Sequence, residues 1–187
     1  MSSKVVFLTI GYIEWRKGQD LLIDANEMLP EEVKEKTEFI MIGQKNSLMA
    51  KELEKRIESL PSVSMYGTVS REEIHNILEK ADVMICPSRE DPMPTVCAEA
   101  MMHEVPCIVS SATGTAEYIT NGHNGLIFES ENVEQLKEAI LWCIKNRTEL
   151  KEIGKRSYEI YDKVFSEKAF EKNLLKYVEE MIGKVTS

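Results

Sequence analysis

Three short stretches of this chain combine residue types that can hold an anion beside a polyhydroxyl group. The first is "GYIEWRKG" (11–18), with Gly11 and Gly18 at its ends and Arg16 and Lys17 just before the second glycine. Glycine lets a backbone turn sharply and come close to a ligand. Lys17 stands at the start of a helical pattern, so its charge and the helix's free N–H groups act on the same spot. A phosphate there meets a point charge and a dipole together. The competing reading is an exposed loop with a solvated Arg16–Lys17 pair, and spacing alone leaves both open.

The second stretch, "CPSREDPMPTVCAEAMM" (86–102), follows an apolar run and leads into a helical pattern. Pro94 suits the first helical position, which leaves the free amides of the helix start to Thr95 and Val96. Those amides can hold a phosphate oxygen, and the Asp91 carboxylate can accept hydrogen bonds from hydroxyl groups. Glu99 lies one helical turn beyond Thr95, on the same face. A carboxylate beside a phosphate site repels the phosphate unless it binds something else, and a vicinal diol such as a ribose fits that role. Otherwise Glu99 is an ordinary surface acid.

The third, "SSATGTAEYITNGHNGLIF" (110–128), is rich in turn pairs such as Asn121-Gly122 and Asn124-Gly125. Its Glu117 reads by default as an exposed acid. Other chemistries find little support. No GxGxxG follows a strand, and neither a P-loop nor a GxSxG elbow occurs. His75, His103 and His123 are too scattered to suggest a metal site, and Trp15 and Trp142 read as packing residues. The four cysteines show no CxxC pair and lie among apolar neighbours, so they read as reduced core thiols.

The elements that must position these stretches are legible. Apolar runs at 5–11, 38–43, 63–67, 82–86, 106–110 and 125–128 read as strands. Most are continuously apolar, as suits a parallel sheet covered on both faces. Helical patterns lie between them near 18–28, 47–59, 71–80, 95–103 and 115–119, and then at 132–145. Ser70 and Glu73 form a capping box for the third. Runs such as 31–36, "EEVKEK", read as solvated surface. Alternation of this kind predicts an α/β fold with a doubly wound parallel sheet of about six strands. One domain is expected over 1–187, with a core over about 1–164 and an amphipathic helix at 165–182 that needs a packing partner.

With 43% hydrophobic and 29% charged residues the chain is globular, and its net charge of -9 argues against a nucleic-acid surface. No run approaches the roughly 18 apolar residues of a membrane span. The start lacks a signal peptide's architecture, and a cytoplasmic protein is expected.

Together, "FLTIGYIEWRKGQDLLIDA" (7–25), "PSREDPMPTVCAEA" (87–100) and "SSATGTAEYITNGHNGLIF" give the chain a resemblance to the C-terminal, nucleotide-binding domain of glycosyltransferase family 4, retaining enzymes of the GT-B fold. The resemblance implies a Rossmann-like domain that binds a nucleotide diphosphate sugar, with no metal and no other cofactor. It implies that Lys17 contacts the diphosphate and that the amides of Thr95 and Val96, after Pro94, hold its distal phosphate. Glu99 would bind the ribose hydroxyls and Asp91 would face the donor sugar, so that Lys17, Asp91 and Glu99 are the expected catalytic set. Gly11 belongs to the same loop, and Gly43, Gln44 and Val69 would wall the base.

The departures from the pattern are informative. The family's usual arginine beside Gly11 is Tyr12 here, with Arg16 as a candidate replacement. The first acid of the pair is Asp91, with Glu90 beside it in an alternative register. The resemblance also implies a partner domain, N-terminal to this one, that supplies acceptor contacts and onto which the helix at 165–182 packs. The chain by itself is then expected to bind donor without completing transfer to a glycan, lipid or small-molecule acceptor. That partner domain is also the route by which the enzyme would sit at a membrane periphery. Two other classes compete: an epimerase or phosphorylase of the same fold, and a non-catalytic binding or interaction module.

Overall fold

The computed structural model describes residues 4–185. Six strands form one parallel sheet in the order β3-β2-β1-β4-β5-β6. They are β1 (Val5–Ile10), β2 (Thr37–Ile42), β3 (Val63–Tyr66), β4 (Val83–Cys86), β5 (Cys107–Ser110) and β6 (Gly125–Phe128). The helices are α1 (Gln19–Glu27), α2 (Glu31–Lys34), α3 (Leu48–Ile57), α4 (Arg71–Leu78), α5 (Thr95–Met102), α6 (Val133–Lys145), α7 (Leu150–Ile160) and α8 (Glu167–Val185). The expected fold class and strand positions hold to within a residue or two.

Most strand positions are apolar because both faces of the sheet are covered. Phe7, Val83, Ile85 and Ile108 point into a core shared with Leu22, Ala50, Leu136 and Ile140 from α1, α3 and α6. Their neighbours Leu8, Met84, Cys107 and Val109 point the other way, onto Leu78 of α4 and Cys97, Ala100 and Met101 of α5. This is the two-residue period of a strand with apolar side chains on both faces. Each fully buried Leu, Ile or Phe contributes about 1.5–3 kcal/mol by leaving water. Phe7 stacks on Phe39 across β1 and β2 at 4.8 Å, joining the central strands.

The strand order reverses between β1 and β4, where the connections lead to opposite sides and a crevice opens at the carboxyl ends. The loops after β1 and β4 are those singled out by residue type. Helix α4 starts on the expected box: Ser70 Oγ accepts from the Glu73 amide, and the Glu73 carboxylate accepts from the Ser70 amide. The segment expected as a helix at 115–119 is a 3-10 turn over Gly114–Tyr118. After α7 a π-turn over Tyr161–Phe165 leads into α8, whose Phe170, Leu174, Leu175 and Val178 are exposed. No helix among the described residues is long and apolar enough to cross a membrane.

Candidate functional site

The loop after β1 makes one 3-10 turn over Trp15–Lys17 and ends on Gly18, the N-cap of α1, at φ 71. A Cβ there would lie 2.0 Å from the carbonyl oxygen of Pro87, so only glycine lets the two loops close on each other. Gly43, after β2, is equally confined, since its Cβ would lie 1.8 Å from the Gly11 carbonyl oxygen. The floor of the crevice is therefore backbone against backbone.

Across that floor, Lys17 Nζ donates to Asp91 Oδ2 at 2.5 Å. The ammonium-bearing side chain is 21% exposed and the carboxylate side chain 9%. The sequence places these residues 74 positions apart, and the sheet order brings them into contact. The backbone of Asp91 is fixed by bonds to Ala112 and Gly114 of the loop after β5. Arg16 does not reach the same place. It pairs with Glu14 and donates to the carbonyl of Glu90 at the surface. Tyr12 is half-exposed, and its hydroxyl donates to Asn46.

Helix α5 supplies the other side. Pro94 is its N-cap in an extended conformation (φ -69, ψ 108), not its first helical residue; the helix itself begins at Thr95, where the pattern placed it. The amide of Cys97 is taken by the Pro94 carbonyl, whereas those of Thr95 and Val96 have no acceptor among the described residues. The two expected phosphate ligands thus remain the open ones. Glu99 is half-buried on this helix, one turn from Thr95, and makes no hydrogen bond or ion pair among the described residues. Val69 and Val96 both pack at the border of the α4–α5 core. No hydrogen bond or ion pair joins Lys17 to Glu99; one is on the loop after β1 and the other on α5.

Other expectations require correction. Trp15 is not a packing residue: it is 64% exposed, with the guanidinium of Arg89 4.8 Å from its ring centre. The histidines are not all scattered, because His75 Nδ1 and His103 Nε2 lie 2.8 Å apart between α4 and α5. Even so, no three His, Cys, Asp or Glu side chains among the described residues are grouped to hold a metal. Glu117 is exposed, as its type suggested. All four cysteines are free and buried. Burial pushes the Cys143 thiol up to about 12, and contact with Cys97 and burial raise Cys86 as well, so neither presents a thiolate nucleophile.

Arg89 was not among the expected residues, although it lies two positions before Asp91. Its side chain is 9% exposed and bonds to Asp20, Glu131 and the Trp15 carbonyl. In the sequence only its basic type was visible. Its partners lie 69 and 42 positions away and come together through the fold.

Comparison with known proteins places the chain in a family. Residues 2–160 match the family model "Glycosyl transferases group 1". An uncharacterized glycosyltransferase of Methanocaldococcus jannaschii is 30% identical over 161 residues, 85% of this chain and 43% of that protein. The lipopolysaccharide glucosyltransferase WaaG of Escherichia coli is 26% identical over 136 residues, 72% of this chain and 36% of the other. Among solved structures, Anabaena HepE in complex with UDP-glucose superposes with a TM-score of 0.82 at 22% identity, over 95% of this chain and 49% of that one. The chain thus spans about half, or less, of these relatives' length. It folds as one domain of the GT-B architecture. With most of its length matched by the family model, the chain belongs to the glycosyl transferases group 1 family.

Proposed function

We propose that this chain is the donor-binding half of a retaining glycosyltransferase of family 4 type, and that the crevice between β1 and β4 holds a nucleotide diphosphate sugar. One observation carries the reading: a partly buried lysine–carboxylate pair faces a helix start with two unused amides. Lys17 exchanges Asp91 for the diphosphate, and the amides of Thr95 and Val96 hold the distal phosphate with the dipole of α5 behind them. Asp91, once released, accepts from hydroxyls of the donor sugar, and Glu99 accepts from the ribose diol. Gly43, Gln44 and Val69 line the base side. Such an arrangement favours the leaving diphosphate as its charge grows, and one donor group of this kind is worth about 10²–10³ in rate. Binding needs no metal, because cationic and dipolar groups already meet the phosphates.

The similar HepE protein was solved with UDP-glucose, which supports a uridine nucleotide as the first ligand to try. The acceptor, a glycan, lipid or small molecule, is met by a separate N-terminal domain, onto which the exposed side of α8 packs. Alone, this chain binds donor and does not turn over. Calorimetry with UDP, GDP and ADP on the purified chain tests the reading: saturable binding of at least one supports it. Binding of none would leave an interaction module of the same fold as the better account.

A further inference from the structure

Arg89 touches none of the groups assigned to the donor above, yet it is the most heavily bonded side chain at the crevice. Nη1 and Nη2 grip the two oxygens of Asp20 at 2.9 and 2.7 Å, and Nε donates to Glu131 Oε1 at 2.8 Å. Nη1 also donates to the Trp15 carbonyl at 2.7 Å, and the Arg89 backbone amide donates to the Arg16 carbonyl at 2.8 Å. The guanidinium covers one face of Trp15. Four segments meet on one residue: the loop after β1, the first turn of α1, the loop after β4 and the turn after β6.

Features on both sides of this knot point to a positioning role rather than casual surface pairing. Glu131 sits at φ 64, a left-handed backbone that a side chain enters only at a cost, and from there its carboxylate meets Arg89. Opposite, the bonds from Arg89 to Trp15 and Arg16 bracket the residues immediately before Lys17, while Asp91 lies two positions beyond Arg89. The Gly18–Pro87 contact prevents the two loops from interpenetrating but sets no orientation between them. Directional bonds do, and the planar guanidinium fork supplies several in fixed geometry.

We propose that Arg89 is the positioning residue of this site, locking the loop that carries Lys17 in register with the loop that carries Asp91. The coupling of the loops stands on the geometry alone; its consequence for ligand rests on the donor-site reading. A lysine at this position keeps the charge but is a point donor, unable to span Asp20, Glu131 and the Trp15 carbonyl together. Charge alone is therefore insufficient.

Hydrogen exchange and calorimetry on the 187-residue chain separate these points. In Arg89→Lys, amides of residues 14–18 and 88–91 exchange faster while those of β1 and β4 keep their protection. Asp20→Asn gives the same pattern more weakly, which covers the case of one variant failing to fold. UDP affinity falls about tenfold in Arg89→Lys, roughly 1.4 kcal/mol. In a Lys17→Ala background the same change has little further effect. Unchanged exchange in both variants would overturn the coupling, and an equal affinity loss with and without Lys17 would show that Arg89 does not act through it. If the parent chain binds no nucleotide, the donor reading falls and hydrogen exchange alone decides the role of Arg89.

Discussion

The two sides of the crevice are built on opposite terms. On the β1 side the cation is already satisfied: Lys17 rests on Asp91 at 2.5 Å, and its loop is tied to the neighbouring loop through Arg89. On the α5 side the donors are open, with the amides of Thr95 and Val96 unused and Glu99 unpaired among the described residues. On the proposed donor-site reading, a ligand must displace one side and need only fill the other. Selectivity therefore belongs to the side where a protein contact is exchanged for a ligand contact, since a ligand lacking the matching charge cannot make the exchange. The open side contributes affinity for any suitably placed phosphate.

Removing charges one at a time tests that contrast. Lys17→Ala is expected to have the largest effect, weakening UDP binding by about 1.5–3 kcal/mol, the scale of hydrogen bonds to charged groups. It also strands a mostly buried carboxylate, so thermal stability falls as well. Asp91→Asn acts in the other direction on UDP: with its partner neutralised, Lys17 is released to the phosphates and affinity holds or rises. The same change weakens binding of the complete nucleotide sugar, which loses an acceptor for its hydroxyls. Equal losses of UDP affinity in the two variants, read by calorimetry, would defeat the exchange. On the open side, Glu99→Ala should weaken UDP by about 1–3 kcal/mol with little change in stability, because it breaks no existing contact. Unchanged affinity would remove Glu99 from the site.

What the sequence shows of this arrangement follows from how local each feature is. Continuous apolar runs required a sheet covered on both faces, and the Ser70–Glu73 box marked a helix start within four residues. Lys17 and the α5 amides were legible because a loop before a helix carries its own chemistry. Their pairing with other segments was not. Nothing near Lys17 shows that its charge is met by Asp91, and nothing near Trp15 shows that Arg89, 74 residues on, covers its ring. An aromatic side chain reads as core by type, and the cation that covers this exposed one comes from a distant segment. His75 and His103 looked unrelated for the same reason, since the sheet is what sets α4 and α5 side by side.

That histidine pair offers a smaller and pH-dependent test on the α5 side. Burial lowers the His103 pKa from its usual 6.5, and the neighbouring His75 charge lowers it further, against weaker opposition from Glu79 and Glu99. The folded chain thus takes up this proton less readily than the unfolded one. Stability linked to the pair is intact above pH 6.5 and is lost as pH falls through the depressed folded value. His75 Nδ1 lies 2.8 Å from His103 Nε2, so the charge repulsion that lowers the His103 pKa acts at short range. Denaturant midpoints measured from pH 7.5 down to 5.5 should decline less steeply in His103→Gln than in the parent chain. Parallel declines would mean that the pair does not sense protons.

The smallest expected effect concerns two glutamates in left-handed backbone, Glu104 at φ 57 and Glu131 at φ 64. Glu104 follows the end of α5, where glycine is the residue that adopts this conformation without a Cβ penalty. Its side chain is exposed, and its attraction to Lys155 acts through water, so little is lost with it. Glu104→Gly should therefore stabilise the chain by about 0.5–1 kcal/mol, the steric relief outweighing the extra freedom of the unfolded glycine. Glu131→Gly relieves the same backbone but also removes the carboxylate bonded to Arg89 Nε. Its gain should be smaller or absent, and it should loosen the loop before Lys17. Urea titration of both variants compares a left-handed residue that merely turns the chain with one that helps hold the site. If the two gained equally, the bond from Glu131 to Arg89 would contribute nothing measurable, and the register of Lys17 would rest on the bonds of Arg89 to Asp20, the Trp15 carbonyl and the Arg16 carbonyl.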